Sequence, residues 1–169
     1  AETILQDIID DPVLIDNQVR IIAEPWTASG TGPGIGGFPT SSSDTKIAWY
    51  EWNAKYRDWW RDFVNFDDSV LNSDQGGGID GGAVITGSSG LYGWNGRKPY
   101  HSINFITVHD GFTMYDLFSY DEKQNGCGLL NPVCCEAPLS VWCDKDSGED
   151  HNRSRDWGQD TESFKRQLM

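Results

Sequence analysis

The stretch "VRIIAEPW", residues 19–26, decides how the fold is read. Val19, Ile21 and Ile22 form a β-branched run of the kind found in a strand buried on both faces. Such a strand should stay apolar to its end, yet this one stops on Glu24, followed by the rigid Pro25 and the large ring of Trp26. A carboxyl group at a strand exit beside an indole is partly desolvated, which disfavours its charged form and raises its pKa. A general acid that works near neutral pH needs that property.

Working outward, "ETILQDII" (2–9) places Ile4, Leu5, Ile8 and Ile9 at helical spacing, and Asp10, Asp11 and Pro12 stop the pattern, so a helix feeds the strand at 18–24. Residues 27–45, rich in Gly, Ser, Thr and Pro, are a long loop leaving the carboxyl end of that strand. Ile47 to Trp52 suit a second strand. From about Lys55, the aromatics Tyr56, Trp59, Trp60 and Phe63 recur as a helical stripe, which fits core packing better than ligand contact. A Gly-rich connector at 76–82 leads to a short helix and a loop. "SINFITVHDGFT" then carries another buried strand, Ile103, Phe105, Ile106 and Val108, which also ends on polar groups, His109 and Asp110. Asp160 or Thr161 can cap a final helix, with Glu162 in its first turn.

Buried strands thus alternate with helices, and each strand delivers a polar group into a loop at its carboxyl end. In a barrel of parallel strands wrapped by helices, that end is where active sites are assembled. Glu24 and the pair His109/Asp110 would converge on one mouth. Two carboxyl groups with separate roles are the minimum equipment for cleaving a glycosidic bond. Glu24 would be the proton donor and Asp110, kept ionised by hydrogen bonds, would stabilise positive charge developing on a sugar carbon. His109 offers donors to sugar hydroxyls and Trp26 a stacking face. Taken singly, each also fits an ordinary role: a solvated loop Glu, or a His-Asp turn.

Composition narrows the partners. The 169 residues carry 13 Lys plus Arg against 26 Asp plus Glu, a formal net charge of −13 without a compensating basic cluster, so nucleic acid and anionic membrane surfaces are both disfavoured. No apolar run approaches the roughly 18 residues of a spanning helix, and the first residues lack a signal-peptide pattern. The chain is accordingly expected to be soluble; its compartment is left unknown, with cytoplasm or plastid favoured over secretion. With 19 Gly and 8 Trp, much of it must be loop carrying rings, which suits either core filling or the planar faces on which sugars stack. All four cysteines, Cys127, Cys134, Cys135 and Cys143, fall in one Gly/Pro-containing segment. An even count permits two disulfides, and the clustering equally fits a surface insertion. A zinc site built from these thiols and His151 would lack the paired C-x-x-C knuckle, so no metal and no cofactor are expected.

The stretches "DPVLIDNQVRIIAEPW", "GGFP", "YEWNAKYRD", "GSSGLY", "GRKPYHSINFITVHDGFTMYDLFSY" and "HNRSRDWG", in this order, closely resemble isoamylase-type and glycogen-debranching glycoside hydrolases of the α-amylase superfamily. The likeness weakens at 40–46, 65–80 and 127–150. It implies an α/β fold, a partial (β/α)8 TIM barrel covering roughly strands five to seven, with residues 1–169 all part of the catalytic barrel domain. It implies Glu24 as general acid/base after the fifth strand, Asp110 as transition-state stabiliser and His109 as a sugar-hydroxyl ligand after the seventh. The substrate implied is a branched α-glucan (glycogen, amylopectin or limit dextrin), cleaved at α-1,6 linkages with retention. The family's nucleophilic Asp, in a motif similar to "GFRFD" after the fourth strand, has no counterpart here. Asp7, Asp10, Asp11 and Asp16 lie in the connection to the fifth strand, and nothing corresponds to the eighth strand or the β domain after it. The chain is therefore expected to be an internal piece of a larger enzyme, inactive by itself. A non-catalytic glucan-binding protein of the same fold is the alternative. In "HNRSRDWG", Arg155 and Asp156 replace an aromatic and an amide of a pattern similar to "NRSWNWG".

Overall fold

A computed structural model describes residues 2–26, 32–42, 47–65, 81–109, 112–121 and 153–157. They form two compact units, one of residues 1–60 and 68–105 and the other of 61–67 and 106–169.

The first unit is built on a parallel three-stranded sheet in the order β1 (Ile22–Ala23), β2 (Tyr50–Trp52), β3 (Ser102–Ile103). Ile22 pairs with Tyr50 and Ala23 with Glu51; Glu51 then pairs with Ser102 and Trp52 with Ile103. This α/β arrangement agrees with the expected alternation, and the strands fall where the apolar runs placed them. They are shorter than expected. β3 stops at Ile103 instead of running to Val108, because its neighbour β2 ends at Trp52 and the chain, after Asn53 N–H donates to Ile103 O (2.9 Å), turns into a helix.

The two faces of the sheet differ. Ala23, Glu51 and Ser102 are buried on one; on the other, Tyr50, Trp52 and Ile103 are half-buried and Ile22 is 54% exposed. Burial of the first strand on both faces is therefore not observed: no described residue of this unit covers the second face at Ile22.

Helix α1 (Glu2–Ile9) forms where the spacing of Ile4, Leu5, Ile8 and Ile9 predicts it. Only Ile9, fully buried, and Leu5 reach the core formed with Ala23, Phe38 and Trp49, while Ile4 and Ile8 stay exposed. Asp10 ends the helix and Asp11 immediately starts another, α2 (Pro12–Asp16), by accepting from the N–H groups of Val13 (2.8 Å) and Leu14 (3.4 Å), with Pro12 at a position that lacks a donor in any case. The Asp10 carboxylate accepts from Gln6 Nε2, Ser41 Oγ and Ser42 N, which ties α1 to the loop at 40–42 and holds its pKa below the usual carboxylate value.

The connection from β2 to β3 contains helices α3 (Ala54–Asn65), α4 (Gly81–Ile85) and α5 (Ser89–Tyr92). Trp59 of α3 is fully buried, and Gly81 is required opposite it, since a Cβ there would lie 2.6 Å from the indole. Of the aromatic stripe, Trp59 is thus core as its spacing predicts, while Tyr56, Trp60 and Phe63 are half-buried. The connection from β1 to β2 departs from a barrel's helical crossover: none of its described residues is helical. Its "GGFP" segment lies on the buried face of the sheet, with Phe38 in the core and Thr40 bridged antiparallel to Ala48.

In the second unit, Phe112, Leu117 and Phe118 form a core with Val64, Ile106, Met114, Tyr120 and Trp157. Asn65, at the end of α3, organises residues 153–157: its Nδ2 donates to Leu117 O and Arg153 O, and its Oδ1 accepts from Trp157 Nε1 (2.9 Å). Arg155 donates to Asn65 O and lies over the Trp157 ring at 4.7 Å, so the residue that replaces an aromatic serves packing here. The cysteine segment, His151 and the capped helix expected after Asp160 lie outside the described residues.

Candidate functional site

Parallel strands all point their carboxyl ends the same way, so β1, β2 and β3 deliver the residues that follow them to one end of the sheet. Glu24 follows β1 directly and is exposed; one residue beyond the pair Ala23–Glu51, it stands at the level of Trp52 and Ile103, on the half-covered face. The desolvation expected of Glu24 is not found in this unit, because no described element of it packs over that carboxyl group. Trp26 is half-buried and meets two other rings: Trp52 at 6.4 Å and Phe105 at 6.5 Å between centroids, with Trp52 and Phe105 5.8 Å apart. Arg57 lies over Phe105 at 5.9 Å and is itself paired with Asp58 (2.7 Å). His109 belongs to the second unit and is exposed; Asp110 lies outside the described residues.

Behind this end of the sheet sits a polar assembly that has no local signature in the sequence. Glu51 and Arg97 form an ion pair whose side chains are both 0% exposed. The Glu51 carboxylate also accepts from Gly36 N (2.5 Å) and Phe38 N (3.2 Å). The Arg97 guanidinium donates in addition to Gly36 O (2.6 Å), Trp49 O (3.3 Å) and Asn95 Oδ1 (3.1 Å), and it packs over the Tyr92 ring at 4.8 Å. Trp94 Nε1 donates to Gly36 O and Asn95 Nδ2 to Phe38 O, both at 3.0 Å. The backbone groups of the irregular crossover, which a helix would have satisfied internally, are satisfied instead by these side chains. Gly36 (φ +86°) and Gly37 are required, since a Cβ on either would meet backbone oxygen at 2.6 and 2.2 Å respectively.

Asn53 is the second buried hub. Its Oδ1 accepts from Tyr56 N (2.9 Å), capping α3, and its Nδ2 bonds Ser88 Oγ (3.0 Å) and Ser102 Oγ (2.9 Å), joining β2 to β3 and to the α5 region. Three separate parts of the sequence, Asn53, Ser88 and Ser102, meet at fully or nearly fully buried positions.

At the opposite, amino end of the sheet a cavity of about 280 Å³ is lined by Arg20, Tyr50, Tyr100 and His101 among others. His101 is buried, which pushes its pKa below that of a free imidazole. Among the described residues no group of three or more His, Cys, Asp or Glu is arranged to hold a metal ion, and no helix is long and apolar enough to cross a membrane.

No protein-family model matches the chain. Individual proteins do. An isoamylase of Flavobacterium sp is 41% identical over 142 residues, 82% of this chain and 15% of that protein. The chain is of the isoamylase type. Isoamylase SU1, chloroplastic, of Zea mays is 37% identical over 162 residues, covering 96% of the chain and 17% of the relative. A glycogen operon protein GlgX homolog of Mycobacterium tuberculosis is 44% identical over 115 residues, 68% of the chain and 14% of the relative. This isoamylase-type chain therefore spans about one sixth of the length of the curated relatives it matches. The likeness reaches across both compact units in the maize relative, and so includes both the Glu24 and the His109/Asp110 segments.

Proposed function

We propose that this chain is the strand-five-to-seven portion of a (β/α)8 barrel in a debranching glycoside hydrolase, which hydrolyses α-1,6-glucosidic branch linkages of glycogen, amylopectin or limit dextrins with retention of configuration. The observation that carries the reading is the position of Glu24: an exposed carboxyl group at the carboxyl exit of the first of three parallel strands, within a sequence 37–44% identical to isoamylases and a GlgX homolog. The half-covered sheet face with exposed Ile22 supports the barrel, because in a closed barrel that face is the interior, filled by the remaining strands. Glu24 protonates the leaving glycosidic oxygen and later deprotonates the attacking water; Asp110 stabilises the oxocarbenium-like transition state; His109 bonds sugar hydroxyls; Trp26 packs on a glucose ring. The nucleophilic carboxylate comes from outside this sequence, so residues 1–169 alone are inactive.

The test is Glu24→Gln in the full-length protein. Release of linear chains from amylopectin should fall at least about a thousandfold, while glucan binding persists. Retained turnover refutes the acid/base role. A wild-type full-length protein that binds glucan and releases no chains would instead establish the non-catalytic alternative.

A further inference from the structure

We propose that Trp52 and Phe105 join Trp26 in an aromatic wall against which a glucose unit of the α-glucan packs beside Glu24. The proposal rests on the assignment of Glu24 just given.

Four observations carry it. The register places Trp52 one row past the Ala23–Glu51 pair, level with Glu24 on the half-covered face. The three rings, with centroids 5.8–6.5 Å apart, are inclined to one another at 40–54°, so none is stacked parallel on another within the group. All three are half-buried, whereas the rings that fill the core of this unit, Phe38, Trp49 and Trp59, are 0–7% exposed. The polarity of β2 is inverted: Glu51 and Asn53 are fully buried and fixed by the hydrogen bonds described above, and Trp52 between them is turned to the opposite, accessible face. Arg57 backs Phe105 in the same way. A sugar presents apolar C–H faces and a polar rim, and a set of half-buried rings beside one carboxyl group matches that chemistry. With the net charge of −13, the neutral glucan is favoured over a phosphorylated sugar.

The experiment uses full-length protein labelled with 5-fluorotryptophan, with the Trp52 resonance assigned by its loss in Trp52→Phe. Adding maltotetraose should shift that resonance. In kinetics on amylopectin, Trp52→Ala should raise KM about tenfold or more, with a smaller change in kcat, and Trp52→Phe should recover most of the loss. A Trp52 resonance unmoved at saturating maltotetraose overturns the proposal, even if Trp52→Ala folds too poorly to assay. So does a folded Trp52→Ala protein with unchanged KM. If the wild-type protein is inactive yet the resonance shifts, the aromatic wall stands and the hydrolytic reading fails; an active enzyme with an unmoved resonance gives the converse.

Discussion

Replacing Arg97 by Met tests whether the crossover from β1 to β2 is held by the buried ion pair. Methionine keeps most of the stem volume and removes the guanidinium. Glu51, fully inaccessible, is then left with only the Gly36 and Phe38 N–H groups as partners. Removing one partner of a buried pair costs about 3–5 kcal/mol, because the remaining charge is left without compensation. Loss of the donors to Gly36 O and Trp49 O adds to this, moderated because Gly36 O keeps Trp94 Nε1. Against a total stability of about 5–15 kcal/mol, Arg97→Met should therefore lower the urea midpoint by a large fraction. Glu51→Gln, which keeps both oxygen and shape, should cost less, and the double variant much less than the sum of the two. The measurement is a double-mutant cycle by urea denaturation. A loss below about 1 kcal/mol for Arg97→Met, or additivity within about 0.5 kcal/mol, would refute the reasoning.

Two further outcomes follow from the same buried groups. Asn53→Ala removes the cap of α3 and leaves Ser88 and Ser102 without their shared donor, so the thermal midpoint should drop by an amount equivalent to about 2–4 kcal/mol, whereas Asn53→Ser should recover the cap alone. Tyr92, pushed up to about 12 by burial and then by the charge of Glu51, stays protonated when folded in a range where the unfolded chain ionises at 10.0. The unfolded state then binds fewer protons than the folded one, so stability falls as pH rises from 10 to 12, and Tyr92→Phe should flatten that slope in denaturation curves taken across the range.

Local sequence signals sufficed for the α/β character, the places of α1, α3 and the three strands, and the candidacy of Glu24. Periodicity and the punctuation by Asp, Pro and Gly are local properties, and a carboxylate ending an apolar run is visible without coordinates. A strand read over Ile47 to Trp52 does not reveal that Glu51 and Asn53 face inward and Tyr50 and Trp52 outward. Burial of a charge depends on a partner, and Arg97 lies 46 residues further on, in a Gly-rich loop with no periodic signal. The meeting of Trp26, Trp52 and Phe105 likewise follows from strand register. Tertiary structure alone decided these points, because pairing between distant residues is settled by which backbone groups the crossover leaves unsatisfied and which side chains can reach them.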